Sequence, residues 1–179
     1  MVIVLMGVSG SGKTTVGRRL AAELGWPFRD ADEFHPAANV GKMTAGQPLT
    51  EADRAPWLAA IRACIDGCLA RGENAVVTCS ALRERHRREL VADPARVKLV
   101  CLDGDDALLR ERLARRRGHF MKAGMLASQR ADFEPPVGAL VLDVALTPAQ
   151  LVAGIRRALF PAGAKQEARG HAAPPAEAV

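Results

Sequence analysis

Four short, largely apolar runs punctuate the chain, at 2–6, 75–79, 97–102 and 139–143, and Phe28-Arg29-Asp30 reads as a further short strand. Between them, apolar residues recur at helical intervals. Val16, Leu20 and Leu24 predict a helix over 13–24, stopped by Gly25-Trp26-Pro27. Trp57, Ile61, Ile65 and Leu69 predict a longer helix. It opens at Thr50-Glu51-Ala52-Asp53, a capping hydroxyl with acids in the first turn, and stops at Gly72. Shorter helices are expected over 36–43 (Pro36 in a first helical position), 83–90, 105–116 and 125–130. Thr147-Pro148 begin a last one, running to Phe160.

The strand runs are continuous rather than alternating, and each is followed by a helix. That is the pattern of an α/β fold whose parallel sheet is covered on both faces. Ligand sites in such sheets lie beyond the carboxyl ends of the strands. The segments to read for chemistry are therefore 7–14, 30–35, 80–83, 103–105 and 143–148.

The first of these is the most informative. Gly7-Val8-Ser9-Gly10-Ser11-Gly12-Lys13-Thr14 fills the pattern G-x-x-x-x-G-K-[ST], between a strand and a helix as that pattern requires. Its glycines let successive backbone N–H groups turn around an anion, and the helix adds its positive dipole end. Lys13 is placed to reach the β- and γ-phosphates of a nucleoside triphosphate, and the Thr14 hydroxyl to ligate Mg²⁺. Thr15 completes the candidate nucleotide contacts.

Asp30-Ala31-Asp32 leaves the second strand. If this segment stays extended, both carboxylates share one side and face the same crevice as the phosphate loop. Phosphoryl transfer needs one acid on the metal side and another to orient the attacking hydroxyl. Asp30 is assigned the first task, with Thr14, and Asp32 the second. The end of the third strand, Thr78-Cys79-Ser80, offers no carboxylate, which strengthens that assignment.

Other candidates are weaker alone. His35 and Lys42 flank Asn39 in the next segment, and each taken singly is as consistent with a structural role. Arg54, in a helix's first turn, could clamp a carboxylate bidentately or serve a local ion pair. Arg87 follows the third strand. The run from Arg112 to Lys122 (RLARRRGHFMK) gathers positive charge around Gly118, which suits a lid closing over phosphates or a solvated helix end. Arg112 and Arg116 are its candidate phosphate ligands.

At 179 residues the chain makes one domain, expected over 1–160, with a lid near 116–130. Residues 161–179 carry almost no large apolar side chain and are expected to be a disordered tail. Net charge is +5, with arginine making up 20 of the 25 basic residues. The basic clusters lack interleaved aromatics, so the charge reads as service to phosphates rather than as a nucleic-acid surface. No apolar run reaches membrane-spanning length, and the first strand leads directly into the phosphate loop. The expected compartment is the cytoplasm.

The four cysteines include no C-x-x-C and no zinc spacing. If the strand order is the usual one for this class of sheet, Cys79 and Cys101 would lie about 10 Å apart across the first strand, beyond the roughly 7 Å limit of a disulfide. An N-K-x-D base-reading motif and a D-x-x-G switch element are both absent, against a GTP-driven switch.

Taken together these segments resemble the small bacterial-type gluconokinases, within the shikimate and nucleoside-monophosphate kinase group of P-loop kinases. The likeness covers about residues 1–160. It rests on G-V-S-G-S-G-K-T, D-A-D-E-F-H-P-A-A-N-V-G-K-M and G-Q-P-L-T-E-A-D-R-A-P-W-L. It continues in C-S-A-L-R, R-G-H-F and M-L-x-S-Q ending in E-P-P. The resemblance implies a five-stranded sheet of order 2-3-1-4-5 and phosphorylation of D-gluconate at its 6-hydroxyl by ATP, with Mg²⁺.

It further implies Lys13, Asp32 and Arg116 as catalytic residues and Asp32, His35, Lys42, Arg54, Arg87 and His119 on the acceptor side. Another small-molecule or nucleoside monophosphate kinase is the alternative. No nucleic-acid or membrane partner is implied, and monomer or homodimer is left open. Two departures stand out: after Ser128-Gln129 this chain reads R-A-D-F-E, where relatives more often read something like F-E-T-L-E, and the helix after the third strand carries a very Arg-rich R-E-R-H-R-R.

Overall fold

β1 (Val2–Met6) is the centre of the molecule, with all five side chains shut away from solvent. A fully apolar run of five can be satisfied only where helices cover both faces of the sheet. β2 (Phe28–Asp30), β3 (Ala75–Thr78), β4 (Val97–Asp103) and β5 (Leu140–Asp143) complete one parallel sheet in the order β2-β3-β1-β4-β5. This is the order that the family resemblance implies. Val4 sits in register with Val77 on one side and Leu99 on the other. The structure, a computed structural model, describes residues 1–115 and 125–161.

The helices are α1 (Lys13–Leu24), α2 (Ala37–Thr44), α3 (Glu51–Ala70), α4 (Glu84–Leu90), α5 (Asp106–Arg115), α6 (Met125–Ala131) and α7 (Pro148–Leu159). Because strand side chains alternate, β1 feeds two cores. Ile3 and Leu5 pack with Val16 and Leu20 of α1 and Leu151 and Ile155 of α7. Val2, Val4 and Met6 pack with Trp57, Ile61 and Ile65 of α3. Each such side chain, fully buried, stabilises the fold by roughly 1.5–3 kcal/mol relative to exposure. The carboxyl end of β1 is thereby a fixed platform for the loop that follows.

Cys79 donates its N–H to Leu5 O, and Cys101 sits opposite Met6, so the two flank β1; all four cysteines are free. Among the described residues no helix is long and apolar enough to cross a membrane.

Two local expectations are corrected. Asp30-Ala31-Asp32 does not stay extended: the chain turns into a 3₁₀ turn over Ala31–Phe34. The Asp30 carboxylate causes this by accepting the Asp32 N–H at 3.3 Å, an N-cap that competes with strand continuation. Pro36 is the cap of α2 rather than its first helical residue. The predicted end of α5 at Arg116 and the tail beyond 161 lie outside the described residues.

Candidate active site

Between β1 and α1 the chain makes a tight loop that glycine alone permits at its start. Gly7 has φ 143°, and a Cβ there would stand 2.3 Å from Leu102 O. The loop therefore presses on the end of β4. Lys13 Nζ reaches back over it, donating to Gly7 O at 2.8 Å and Val8 O at 3.0 Å. That holds an ammonium group against the concave face of the loop.

The start of α1 differs from those of α3 and α7. α3 and α7 each close their first turn with a capping box, Thr50 with Asp53 and Thr147 with Gln150. α1 has Gly12 at its cap, no side-chain cap and no acid in its first turn. Its leading N–H donors and dipole are left for an anion. Ser11 Oγ is buried with no hydrogen-bond partner among the described residues, a second polar group suited to phosphate oxygens.

A cavity of about 500 Å³ opens over this loop, lined by residues 9–16, Asp30, Asp32, Ser80, Arg112, Arg115, Gln129, Leu146, Pro148 and Leu151. Both acids of the Asp30–Asp32 pair thus line one wall despite the unexpected turn between them. Asp30 is held from two sides: Oδ2 accepts from Thr14 Oγ1 at 2.9 Å, and Oδ1 from Thr78 Oγ1 at 2.9 Å. Thr78, at the end of β3, fixes a carboxylate where the strand itself has none.

Contact between the Thr14 hydroxyl and the Asp30 carboxylate gathers hard oxygen donors beside the phosphate loop. Among the described residues there is no group of three or more potential metal-binding side chains. A small donor set suits Mg²⁺, which takes one or two carboxylates and completes its shell with phosphates and water.

Beyond Asp32 a polar wall is built from α2 and α3. Trp57 Nε1 donates to Ala31 O at 2.7 Å, tying α3 to the turn that carries Asp32. His35 stacks on Trp57 with ring centroids 4.4 Å apart. Burial lowers the His35 pKa, against a smaller pull upward from Asp32, so the ring is neutral at pH 7. Asn39 Nδ2 donates to Asp53 O at 2.8 Å, and Lys42 Nζ binds both Asp53 oxygens at 2.6 and 2.8 Å. The Lys42 ammonium and the Thr50 N–H and hydroxyl hold the Asp53 carboxyl at about 2.

Arg54 gives Nη1 to Glu51 at 2.9 Å and Nη2 to Asp132 at 2.8 Å. Arg87 is buried and donates to Ala81 O and Leu82 O, bracing the loop after β3 from beneath. His35, Lys42, Arg54 and Arg87 do not themselves line the 500 Å³ cavity. Arg116 and His119 lie outside the described residues.

Sequence reasoning assigned no role to Thr78, nor to three residues of the segment 129–132 that the fold brings in. Gln129 of α6 receives the Ser9 N–H on Oε1 at 2.7 Å, joining the segment after the basic run to the phosphate loop. Arg130 binds Asp103, Asp106 and Gly104 O, each at 2.6 Å. Asp132 holds Arg54 and Arg83. Burial disfavours its charge, yet the two guanidiniums outweigh that and keep its carboxyl below the ordinary range. The only signal was the S-Q-R-A-D run itself, and its partners lie tens of residues away. At the cavity's far end, Arg112 Nη2 donates to Val144 O at 2.8 Å beside Leu146 and Pro148.

Comparison with known proteins agrees with this geometry. A family model described as an AAA domain matches residues 2–136. The gluconokinase of Gluconobacter oxydans (strain 621H) is 50% identical over 134 residues, which span 75% of this chain and 75% of that protein. Among solved structures, a gluconokinase from Sinorhizobium meliloti 1021 superposes with a TM-score of 0.77 at 42% identity, covering 88% of this chain and 92% of its own. An unliganded sugar kinase from Janibacter sp. HTCC2649 gives a TM-score of 0.81 at 39% identity, covering 87% of this chain and 91% of its own. With its phosphate loop, its acidic pair and this degree of kinship, the chain belongs to the gluconokinase family of P-loop kinases.

Proposed function

We propose that this chain transfers the γ-phosphoryl group of ATP to the 6-hydroxyl of D-gluconate, giving 6-phospho-D-gluconate and ADP in the cytoplasm. The observation that carries the reading is the shared cavity of the phosphate loop, Asp30 and Asp32, beside a wall that carries His35, Asn39 and Lys42. Residues 7–15 cradle the phosphates. The base lies toward Arg112, Leu146 and Pro148, where a planar cation and apolar side chains suit a purine face.

Thr14 and Asp30 are the residues that would hold Mg²⁺, which when bound neutralises charge on the β- and γ-phosphates. Asp32 orients the 6-hydroxyl and accepts its proton as the oxygen attacks in line. Lys13 stabilises the charge that moves to the leaving phosphate. Arg116 is assigned the same task from the lid, and His119 a place on the acceptor. Asp32 and His35 serve the hydroxyls and Arg54, with Lys42, the carboxylate, while Arg87 shapes the acceptor loop from below.

A coupled ADP-release assay over D-gluconate, glucose, shikimate and AMP tests the reading. A site built from buried polar groups rejects a substrate that leaves them unpaired by on the order of 10⁴. Gluconate should turn over well and glucose, which lacks the carboxylate, hardly at all. Glucose or AMP matching gluconate would leave only an ATP-dependent small-molecule kinase.

A further inference from the structure

The R-A-D-F-E departure places a carboxylate inside a cluster of arginines. Asp132 Oδ2 accepts from Arg54 Nη2 at 2.8 Å, and Oδ1 from Arg83 Nε at 3.2 Å and Nη2 at 2.5 Å. Glu51 completes the cluster, 2.9 Å from Arg54 and 2.6 Å from Arg85. The carboxylate of Asp132 is well shielded, at 15% exposure, and Arg54 nearly as much, at 18%. The cluster adjoins the acceptor wall. Arg54 lies one helical turn before Trp57, which is bonded to the Asp32 turn, and Arg83 follows cavity-lining Ser80 by three residues.

Three guanidiniums in direct contact with two carboxylates leave a surplus of one positive charge. Arginine forks fit carboxylates, whatever molecule brings them. Asp132 therefore occupies donors that an acceptor's own carboxylate would use, and it cancels charge that would attract one.

We propose that Asp132 is an acceptor-affinity residue, a resident carboxylate that competes with the substrate carboxylate for Arg54 and Arg83. The proposal deepens the gluconate reading and rests on it. Asp132→Asn keeps the shape, frees the two arginines and raises the cluster's surplus to two. The dissociation constant for D-gluconate should fall about fivefold, the equivalent of one partly exposed ion pair. Asp132→Glu retains the competitor and should stay within about twofold of wild type. D-glucitol, the same chain of hydroxyls without a carboxylate, should bind equally to all variants.

Isothermal titration of the full chain reads these constants without turnover, with a melting curve for each variant. Asp132→Thr, a second charge-removing change, covers the case in which the Asn variant does not fold. Unchanged or weaker gluconate binding in the folded Asn or Thr variant overturns the proposal, because Asp132 then only positions the arginines. Equal strengthening by Asp132→Glu overturns it as well. If the wild type neither binds nor phosphorylates gluconate, the functional reading itself has failed, whatever the variants do.

Discussion

Lys13 spans its own loop, with bonds to Gly7 O and Val8 O that fix an ammonium at the mouth of the anion site. Lys13→Ala should lower turnover by about 3 kcal/mol of transition-state stabilisation or more, with a native circular dichroism spectrum. Activity within threefold of wild type would remove Lys13 from the mechanism. The two acids should separate by role. Asp32→Asn keeps the shape and loses the base, so kcat should fall far more than ATP affinity. Asp30 is bonded to Thr14 and Thr78, so Asp30→Asn should raise the Mg²⁺ concentration needed for half-maximal rate. One identical, purely ATP-side defect in both variants would contradict this division. Residue identities in the phosphate loop were legible because local spacing alone carries their chemistry; the Asp pair was legible as two acids after a strand, but the turn that places them was not. Thr78, Gln129 and Asp132 were not, because a threonine, a glutamine and an aspartate acquire a role only from what they touch.

At the scale of elements, the start of α3 shows how one helix terminus serves both stability and the acceptor wall. The Thr50–Asp53 capping box was readable from T-E-A-D, and it forms. Thr50→Ala should cost about 1 kcal/mol in denaturant unfolding, as other lost caps do. The second bond of Asp53, to Lys42 of α2, was not readable, because it joins elements eleven residues apart across a turn. It carries a pH dependence. The folded carboxyl sits at about 2, below its ordinary 3.8, so its contribution is complete above that ordinary value. It is lost as the pH falls from about 4 toward 2, because the unfolded chain then binds more protons. Lys42→Met should flatten stability over that window; an unchanged acid limb would mean that other carboxylates dominate. The loop between β1 and α1 has the opposite constraint, steric rather than electrostatic. Gly7→Ala drives a Cβ into Leu102 O and should weaken both folding and ATP binding.

For the whole molecule, the sheet's two-sided burial makes a chemical prediction. Cys79 and Cys101 flank the central strand, and burial pushes their thiols up to about 12 and about 11. Cys68 is buried as well, and Cys64 is partly exposed with a raised pKa caused chiefly by burial. A thiol reagent at neutral pH should label the native chain slowly, at Cys64 first, and all four cysteines after unfolding. Rapid labelling of several native thiols would contradict this packing. By itself the sequence determined the alternation of strand and helix, the parallel sheet and the phosphate loop with its acidic pair. The alternation and the phosphate loop follow from spacing within a few residues; the acidic pair was read from its place after a strand, while the turn between its members was not. Only the tertiary structure decided what depends on contacts between distant segments. Asp30 is shared by two threonine hydroxyls, Gln129 meets the phosphate loop across 120 residues, and Asp132 sits between an arginine of α3 and one at the cap of α4. Charge and hydrogen bonding depend on distance in space, and a linear pattern does not carry that distance.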